Sequence, residues 1–271
     1  MKIVTTTSVF PPGTDWHSAI LRLKNAGFSS LDFAFDYCDR PEDPLMGPDY
    51  AEWAASLRKY ADSLGLEFTH SHAPFDADAR GEIVEHTLHA AQILGVRYLV
   101  VHPLWRKADE IYYEGEEFLE VNTAAYLPLA ELAENYGLTI LTENLLWGAS
   151  IQPRAISDLV ARVNRPNFGW CYDSGHAHCF GISPETLIGL IPPLSLHLQD
   201  NYGIPMGDEH LLPGDGTIDW DLLLKTLVKI GYSGEFVLEA HRQSCSAPDN
   251  ERDAILKELC SRAETYRSRI I

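Results

Sequence analysis

The chain has 271 residues, 45% of them hydrophobic, enough for one large core, and single α/β barrels commonly reach this length. Its 39 acidic against 21 basic residues give a formal charge of -18, which works against binding nucleic acid or an anionic membrane surface and leaves a small neutral or metal-bound substrate as the easier partner. No apolar run is long enough to span a bilayer, "MKIVTTTSVF" lacks the features of a secretory signal, and five scattered cysteines without a CxxC pair suit a reducing compartment, so the expectation is a single soluble, cytoplasmic domain over residues 1–271.

Along the chain, short runs rich in Val, Ile, Leu and Phe alternate with longer amphipathic stretches, the pattern of repeated β-α units around a parallel sheet. "KIVTTT" (2–7) reads as the first strand and "DWHSAILRLKNAG" (15–27) as the first helix. "SLDFAF" (30–35), a helix over 50–65, "LEFTHSH" (66–72), a helix over 81–95 and "YLVVHP" (98–103) follow. A helix over 118–137 leads to "LTILTEN" (138–144), and "FGWCYD" (168–173), "LSLHLQD" (194–200) and "EFVLEA" (235–240) complete eight strands. Gly27, Gly65, Gly95, Gly137 and Gly231 recur between helix and strand. Eight units predict a single (β/α)8 TIM barrel. An open doubly wound sheet is the alternative, weakened because no glycine-rich phosphate loop follows the first strand.

In such a barrel the C-terminal ends of the strands converge on one mouth, where active sites are built. That mouth receives His70 and His72 from strand three, His102 from strand four, Glu143 and Asn144 from strand five, and Asp173, His176 and His178 from strand six. His197, Asp200, Asp208 and His210 come from strand seven and its loop, and Glu239 and His241 from strand eight. Only His17, His86 and His89 of the eleven histidines fall in predicted helices. Any one of these histidines alone is more often a hydrogen-bonded or surface residue than a ligand. Four carboxylates crowded among several histidines are different, because without cations they would repel or go unsatisfied. Imidazole with carboxylate is the ligand set of Zn²⁺, Mn²⁺, Co²⁺ or Fe²⁺ rather than Mg²⁺ or Ca²⁺. Cys171, on the same strand face as Asp173 but one layer deeper, reads as packing, and Trp105 and Trp147 as aromatics in loops at the mouth that could wall a sugar pocket.

The motifs "HAPF", "VHP", "TEN", "DSGHAH", "HLQDN", "DEHLLPGDGTIDW" and "LEA" resemble those of the xylose isomerase-like TIM barrels, a superfamily holding sugar isomerases and epimerases and the endonuclease IV group, over essentially the whole chain. The resemblance implies a divalent metal ion (Mn²⁺, Zn²⁺ or Co²⁺), one to three per chain. The sugar-epimerase pattern implies one ion held by Glu143, Asp173, His197 and Glu239. The endonuclease IV pattern implies three zinc ions, with His72, His102, His176, Asp208 and His210 as further ligands. Epimerases of this group usually carry an arginine in the loop after the strand-seven histidine, and "HLQDNYGIPMGDEH" has none. The DNA-repair members need a basic surface, whereas even three dications would bring this chain only from -18 to -12.

The implied activity is a metal-dependent isomerisation or epimerisation of a small ketose or aldose by enediolate proton transfer, with Glu143, Glu239 and His176 as catalytic residues. Zinc-dependent phosphoester hydrolysis is the alternative, and a noncatalytic sugar-binding module would need none of the paired carboxylates. The expected partner is a sugar, with neither nucleic acid nor membrane, and a homo-oligomer is compatible with the sequence. No basic cluster marks a phosphate pocket, Arg106, Lys107 and Arg242 being the basic side chains near the mouth.

Overall fold

Eight parallel strands form one sheet in the order β7-β6-β5-β4-β3-β2-β1-β8 in a computed structural model that describes residues 1–36 and 38–270. They are β1 (Ile3–Thr6), β2 (Ser30–Ala34), β3 (Glu67–Asp76), β4 (Tyr98–His102), β5 (Thr139–Glu143), β6 (Phe168–Asp173), β7 (Ser195–His197) and β8 (Phe236–Leu238). The two end strands meet through a parallel bridge at Leu198 and Leu238, with Leu198 N–H donating to Val237 at 2.9 Å and Glu239 N–H to Leu198 at 3.0 Å. That seam makes the sheet a (β/α)8 barrel.

Ten α-helices punctuate the strands among the described residues: α1 (Trp16–Ala26), α2 (Tyr50–Ser63), α3 (Glu82–Leu94), α4 (Gly115–Glu134), α5 (Pro153–Val163), α6 (Ser174–Cys179), α7 (Pro184–Ile188), α8 (Trp220–Lys229), α9 (Arg242–Ser246) and α10 (Asp249–Arg267). The first shows the local grammar. Asp15 caps it by accepting from Ser18 N–H at 2.8 Å, and Gly27, at φ 114°, stops it in a left-handed turn that side-chain-bearing residues avoid. His17 lies in α1, and His86 and His89 in α3, where both pack on Tyr50.

Alternation along β2 sorts its residues into two layers. Phe33 and Phe35 point outward into the main core, where Phe33 contacts Trp16, Trp53 and Phe68 at ring separations of 5.0, 5.7 and 5.9 Å. Phe33 and Phe68, both fully buried, contribute about 1.5–3 kcal/mol each through burial. A second, smaller apolar cluster of Val100, Leu141 and Cys171, with Tyr98 against it, plugs the barrel interior. Cys171 thus packs below the mouth, and all five cysteines are free.

Three strands differ from the sequence expectation. β3 runs on to Asp76 because its pairing with β4 shifts register between His72 and Asp76, letting Asp76 pair with His102. β7 stops at His197: Asp200 pairs instead with Leu211 of its own following loop. β8 stops at Leu238, so Glu239 sits just beyond the regular strand. No helix among the described residues is long and apolar enough to cross a membrane.

Candidate metal centre

Glu143, Asp173, His197 and Glu239, at or just past the ends of β5, β6, β7 and β8, converge so that one ligand atom from each lies within 4.8 Å of the others. His197 Nδ1 is 3.1 Å from Glu143 Oε2 and 3.3 Å from Glu239 Oε2. The barrel brings them together because Asp173 and His197 are register partners and Glu143 pairs with Cys171, two residues below Asp173.

Glu143 Oε2, Asp173 Oδ2 and His197 Nδ1 are buried and have no hydrogen-bond partner. Leaving three such atoms unsatisfied would cost about 1–3 kcal/mol each, and more where the group is charged. Two carboxylate oxygens and an imidazole nitrogen aimed at one point fit a borderline divalent cation.

Two further groups flank this one. His72, His102 and Glu143 form the first, with the two imidazole Nε2 atoms 3.0 Å apart and 3.9 and 3.7 Å from Glu143 Oε2. Facing nitrogens at that distance must share either a proton or a cation. His176, Asp208 and His210 form the second, with Asp208 Oδ2 at 3.6 Å from His176 Nε2 and 2.8 Å from His210 Nε2. All nine residues singled out as ligands therefore fall into three contiguous groups, and Glu143 belongs to two of them. His176 also places Nδ1 3.2 Å from Glu143 Oε1, so its two nitrogens face different groups.

The electrostatics split the carboxylates. Burial works to raise Glu143, but His197, His102 and His176 outweigh it and hold it well below the ordinary carboxylate value. Burial raises Glu239 to about 8, with Glu143 adding to the effect against His197. Burial lowers His72 to about 3, helped by His102. Despite its burial, His210 rises to about 9 beside Asp208 and Glu239.

Residues around the candidate ligands hold them in place. Asp173 divides its two oxygens: Oδ1 caps α6 by accepting His176 N–H at 2.6 Å, which leaves Oδ2 free. Asn144 clamps the Asp173 backbone from both sides, accepting from its N–H at 2.9 Å and donating to its carbonyl at 3.0 Å, while its own carbonyl accepts from His176 Nδ1 at 2.9 Å. Gln199 donates to Asp208 Oδ1 at 2.8 Å and accepts from His210 N–H at 3.1 Å, fixing these two loop residues to the segment just past β7. His210 itself sits at φ 45°, a left-handed conformation unusual outside glycine, and its Nδ1 donates to the Glu239 carbonyl at 2.8 Å.

Other residues read at the mouth lie outside the three groups. His70 lies a layer below, its Nδ1 3.0 Å from Glu235 Oε2 near the barrel floor, because it pairs with Tyr98 at the start of β4. Asp200 is a brace: it accepts N–H donors from Asn201, Gly214, Ile218 and the Trp220 indole at 2.8–3.1 Å, which folds "PGDGTIDW" into its turn. His178 binds Asn201 Oδ1 at 2.6 Å. His241 stacks on His210 with ring centroids 4.1 Å apart, and Trp105 stacks on Trp147 at 4.9 Å. Arg106 pairs with Glu110, Lys107 with Glu117 at 2.7 Å, and Arg242 is exposed.

The sequence reading passed over Gln199, Asp32 and Asp36. A glutamine beside a strand-seven ligand and an aspartate in the middle of an apolar strand were the available signals. Gly175 points to the first, since a Cβ there would overlap the Gln199 carboxamide. Gly175→Ala should therefore lower stability by about 1–3 kcal/mol through overpacking and reduce metal retention, read by thermal denaturation and elemental analysis. Wild-type values in both would remove Gln199 as the brace of the loop ligands.

Residues 20–262 match the family described as xylose isomerase-like TIM barrel. An inosose isomerase of Bacillus licheniformis is 30% identical over 179 residues, spanning 62% of this chain and 63% of that one, less than two thirds of either. The structure of the IOLI protein with a binding zinc atom superposes with a TM-score of 0.75 at 22% identity, covering 100% of this chain and 98% of that one. A D-psicose 3-epimerase structure determined in the presence of D-fructose gives 0.76 at 14% identity, covering 98% and 99%. At these identities the two structural likenesses are likenesses of fold.

Proposed function

The chain belongs to the xylose isomerase-like TIM barrel family, and on that premise we propose that it is a divalent-metal-dependent isomerase or epimerase of a small ketose or aldose. The observation that carries the reading is the central group, in which Glu143 and Glu239 bring carboxylate oxygens to within 3.1 and 3.3 Å of the same imidazole nitrogen. The relationship to an inosose isomerase and the fold shared with the zinc-binding IOLI protein and a sugar epimerase support it.

Glu143, Asp173, His197 and Glu239 would hold the cation, which when bound supplies the positive charge that acidifies a C–H beside a carbonyl. Glu143 and Glu239 arrive from β5 and β8, and the proton leaves substrate carbon to a carboxylate oxygen of one and returns from the other. His176, fixed by the Asn144 carbonyl and within 3.2 Å of Glu143, donates a hydrogen bond to a substrate oxygen or orients Glu143. Burial of Glu143, Asp173 and His197, each at most 1% exposed, strengthens their charge interactions, while the Glu239 side chain, 16% exposed, can exchange its proton with solvent.

A second reading, metal-assisted hydrolysis of a phosphate ester, is favoured by one observation: two flanking groups of three residues, one of them sharing Glu143, could each hold a further ion. The formal charge of -18 opposes its nucleic-acid form. Metal content of the purified chain, measured with solvent deuterium uptake into neutral ketoses and with cleavage of abasic DNA, separates the two. Deuterium uptake without DNA cleavage is expected. Cleavage without uptake, at about three zinc ions per chain, would overturn the isomerase reading.

A further inference from the structure

Every candidate ligand comes from β3 to β8 and the loops after them, so β1 and β2 contribute none. Their sector of the mouth is nevertheless polar. Alternation puts Asp32, Ala34 and Asp36 on the inner side of β2 and its continuation, opposite to Phe33 and Phe35. Asp32 is 1% exposed, and Asp32 Oδ1 and Asp36 Oδ1 are both buried without a hydrogen-bond partner. The Thr6 hydroxyl lies beside Asp32 and the Ser8 hydroxyl beside Asp36, while His197 acts on both carboxyls and His102 on Asp36.

Structural aspartates elsewhere in the chain do not look like this. Asp200 accepts four N–H donors, and Asp15 and Asp219 cap helices. Asp36, by contrast, stands past the end of β2, is only partly covered, and keeps an acceptor oxygen pointed at no donor of the protein. A buried acceptor without a donor is satisfied by a ligand that brings one. Sugar hydroxyls are donors, and a phosphate monoester dianion is acceptor-only and would add negative charge to a sector already holding two carboxyls. Of the basic side chains near the mouth, Arg106 and Lys107 are engaged by Glu110 and Glu117, and Arg242 is exposed just past β8.

We propose that Asp36, backed by Asp32, is a substrate-binding residue that accepts a hydrogen bond from a hydroxyl of a neutral polyhydroxylated substrate and excludes its phosphorylated counterpart. This rests on the isomerase reading for the reacting end of the molecule and extends it to the end remote from the metal group.

The test uses the full chain loaded with zinc, with D-fructose and myo-inositol as neutral probes and their monophosphates as charged ones. Binding is read by calorimetry, alongside metal content and circular dichroism. Wild type should bind a neutral probe at least tenfold more tightly than its monophosphate. Asp36→Ala should weaken the neutral probe about tenfold or more, as expected for losing a hydrogen bond to a charged acceptor, with metal content unchanged. Asp36→Asn, which keeps the size and one acceptor oxygen, should narrow the discrimination against the monophosphate about tenfold, and it decides the matter if the alanine variant fails to fold. Neutral-probe affinity within twofold of wild type in a folded Asp36→Ala, unchanged discrimination in Asp36→Asn, or a wild type that binds neither neutral probe overturns the proposal. Solvent deuterium uptake is followed in parallel: a wild type that binds but exchanges nothing counts against the isomerase reading while leaving the role of Asp36 standing.

Discussion

Glu143→Gln should abolish solvent exchange of the substrate C–H, lowering it about 10³-fold or more. A positioned general base alone is worth about 10²–10⁴-fold, and this carboxylate also faces His197, His176, His72 and His102 at 3.1, 3.2, 3.9 and 3.7 Å. The amide has the same shape but no charge, so those four imidazoles lose their common partner in a site only 1% exposed. Glu239→Gln should lose exchange to a similar extent while retaining more metal, because the Glu239 side chain is 16% exposed and belongs to one ligand group rather than two. Deuterium incorporation followed by proton NMR, with circular dichroism as the control for folding, measures both. Exchange within tenfold of wild type in a folded Glu143→Gln would end its assignment as an acid-base group.

Chelation is expected to lower the melting temperature by about 8–16 °C. A ligand present at a thousand times its Kd stabilises the native state by about 4 kcal/mol, and each kcal/mol shifts the midpoint of a chain of roughly this size by about 2–4 °C. The structural basis of the expectation is the set of buried, partnerless atoms on Glu143, Asp173 and His197, which one cation would satisfy together. Calorimetric scans before and after chelation, and after restoring zinc or manganese, read the effect. A midpoint moving by less than about 2 °C in both directions would mean that the group does not hold a cation tightly.

The barrel was legible because its period is written twice, as eight apolar runs and as the glycines that stop the helices between them. Strand ends were less so. "LSLHLQD" reads as seven strand residues, yet β7 spans Ser195–His197, because Asp200 turns away to collect the N–H groups of its own loop. Imidazoles and carboxylates crowded at the strand ends pointed to a cation site, the family resemblance singled out nine candidate ligands, and the fold brings those nine into three groups. His70 stayed open between core and mouth, because its alternation matches that of His72 and its height in the barrel depends on the register with β4. Asp36 was invisible for a related reason: nothing in "LDFAFDY" distinguishes a polar loop residue from a carboxyl kept inside the mouth.

Glu143 belongs to both the His72 and the Asp173 groups, so cations entering both would have linked equilibria. The first to arrive would fix the rotamer and ionisation of that side chain, removing an entropic and a protonic cost for the second while also withdrawing part of its negative charge. The two loadings would then carry a reciprocal coupling free energy. Under double loading a metal titration is expected to follow an interacting isotherm, and a substitution at Glu143 to alter the cooperativity as well as the affinity.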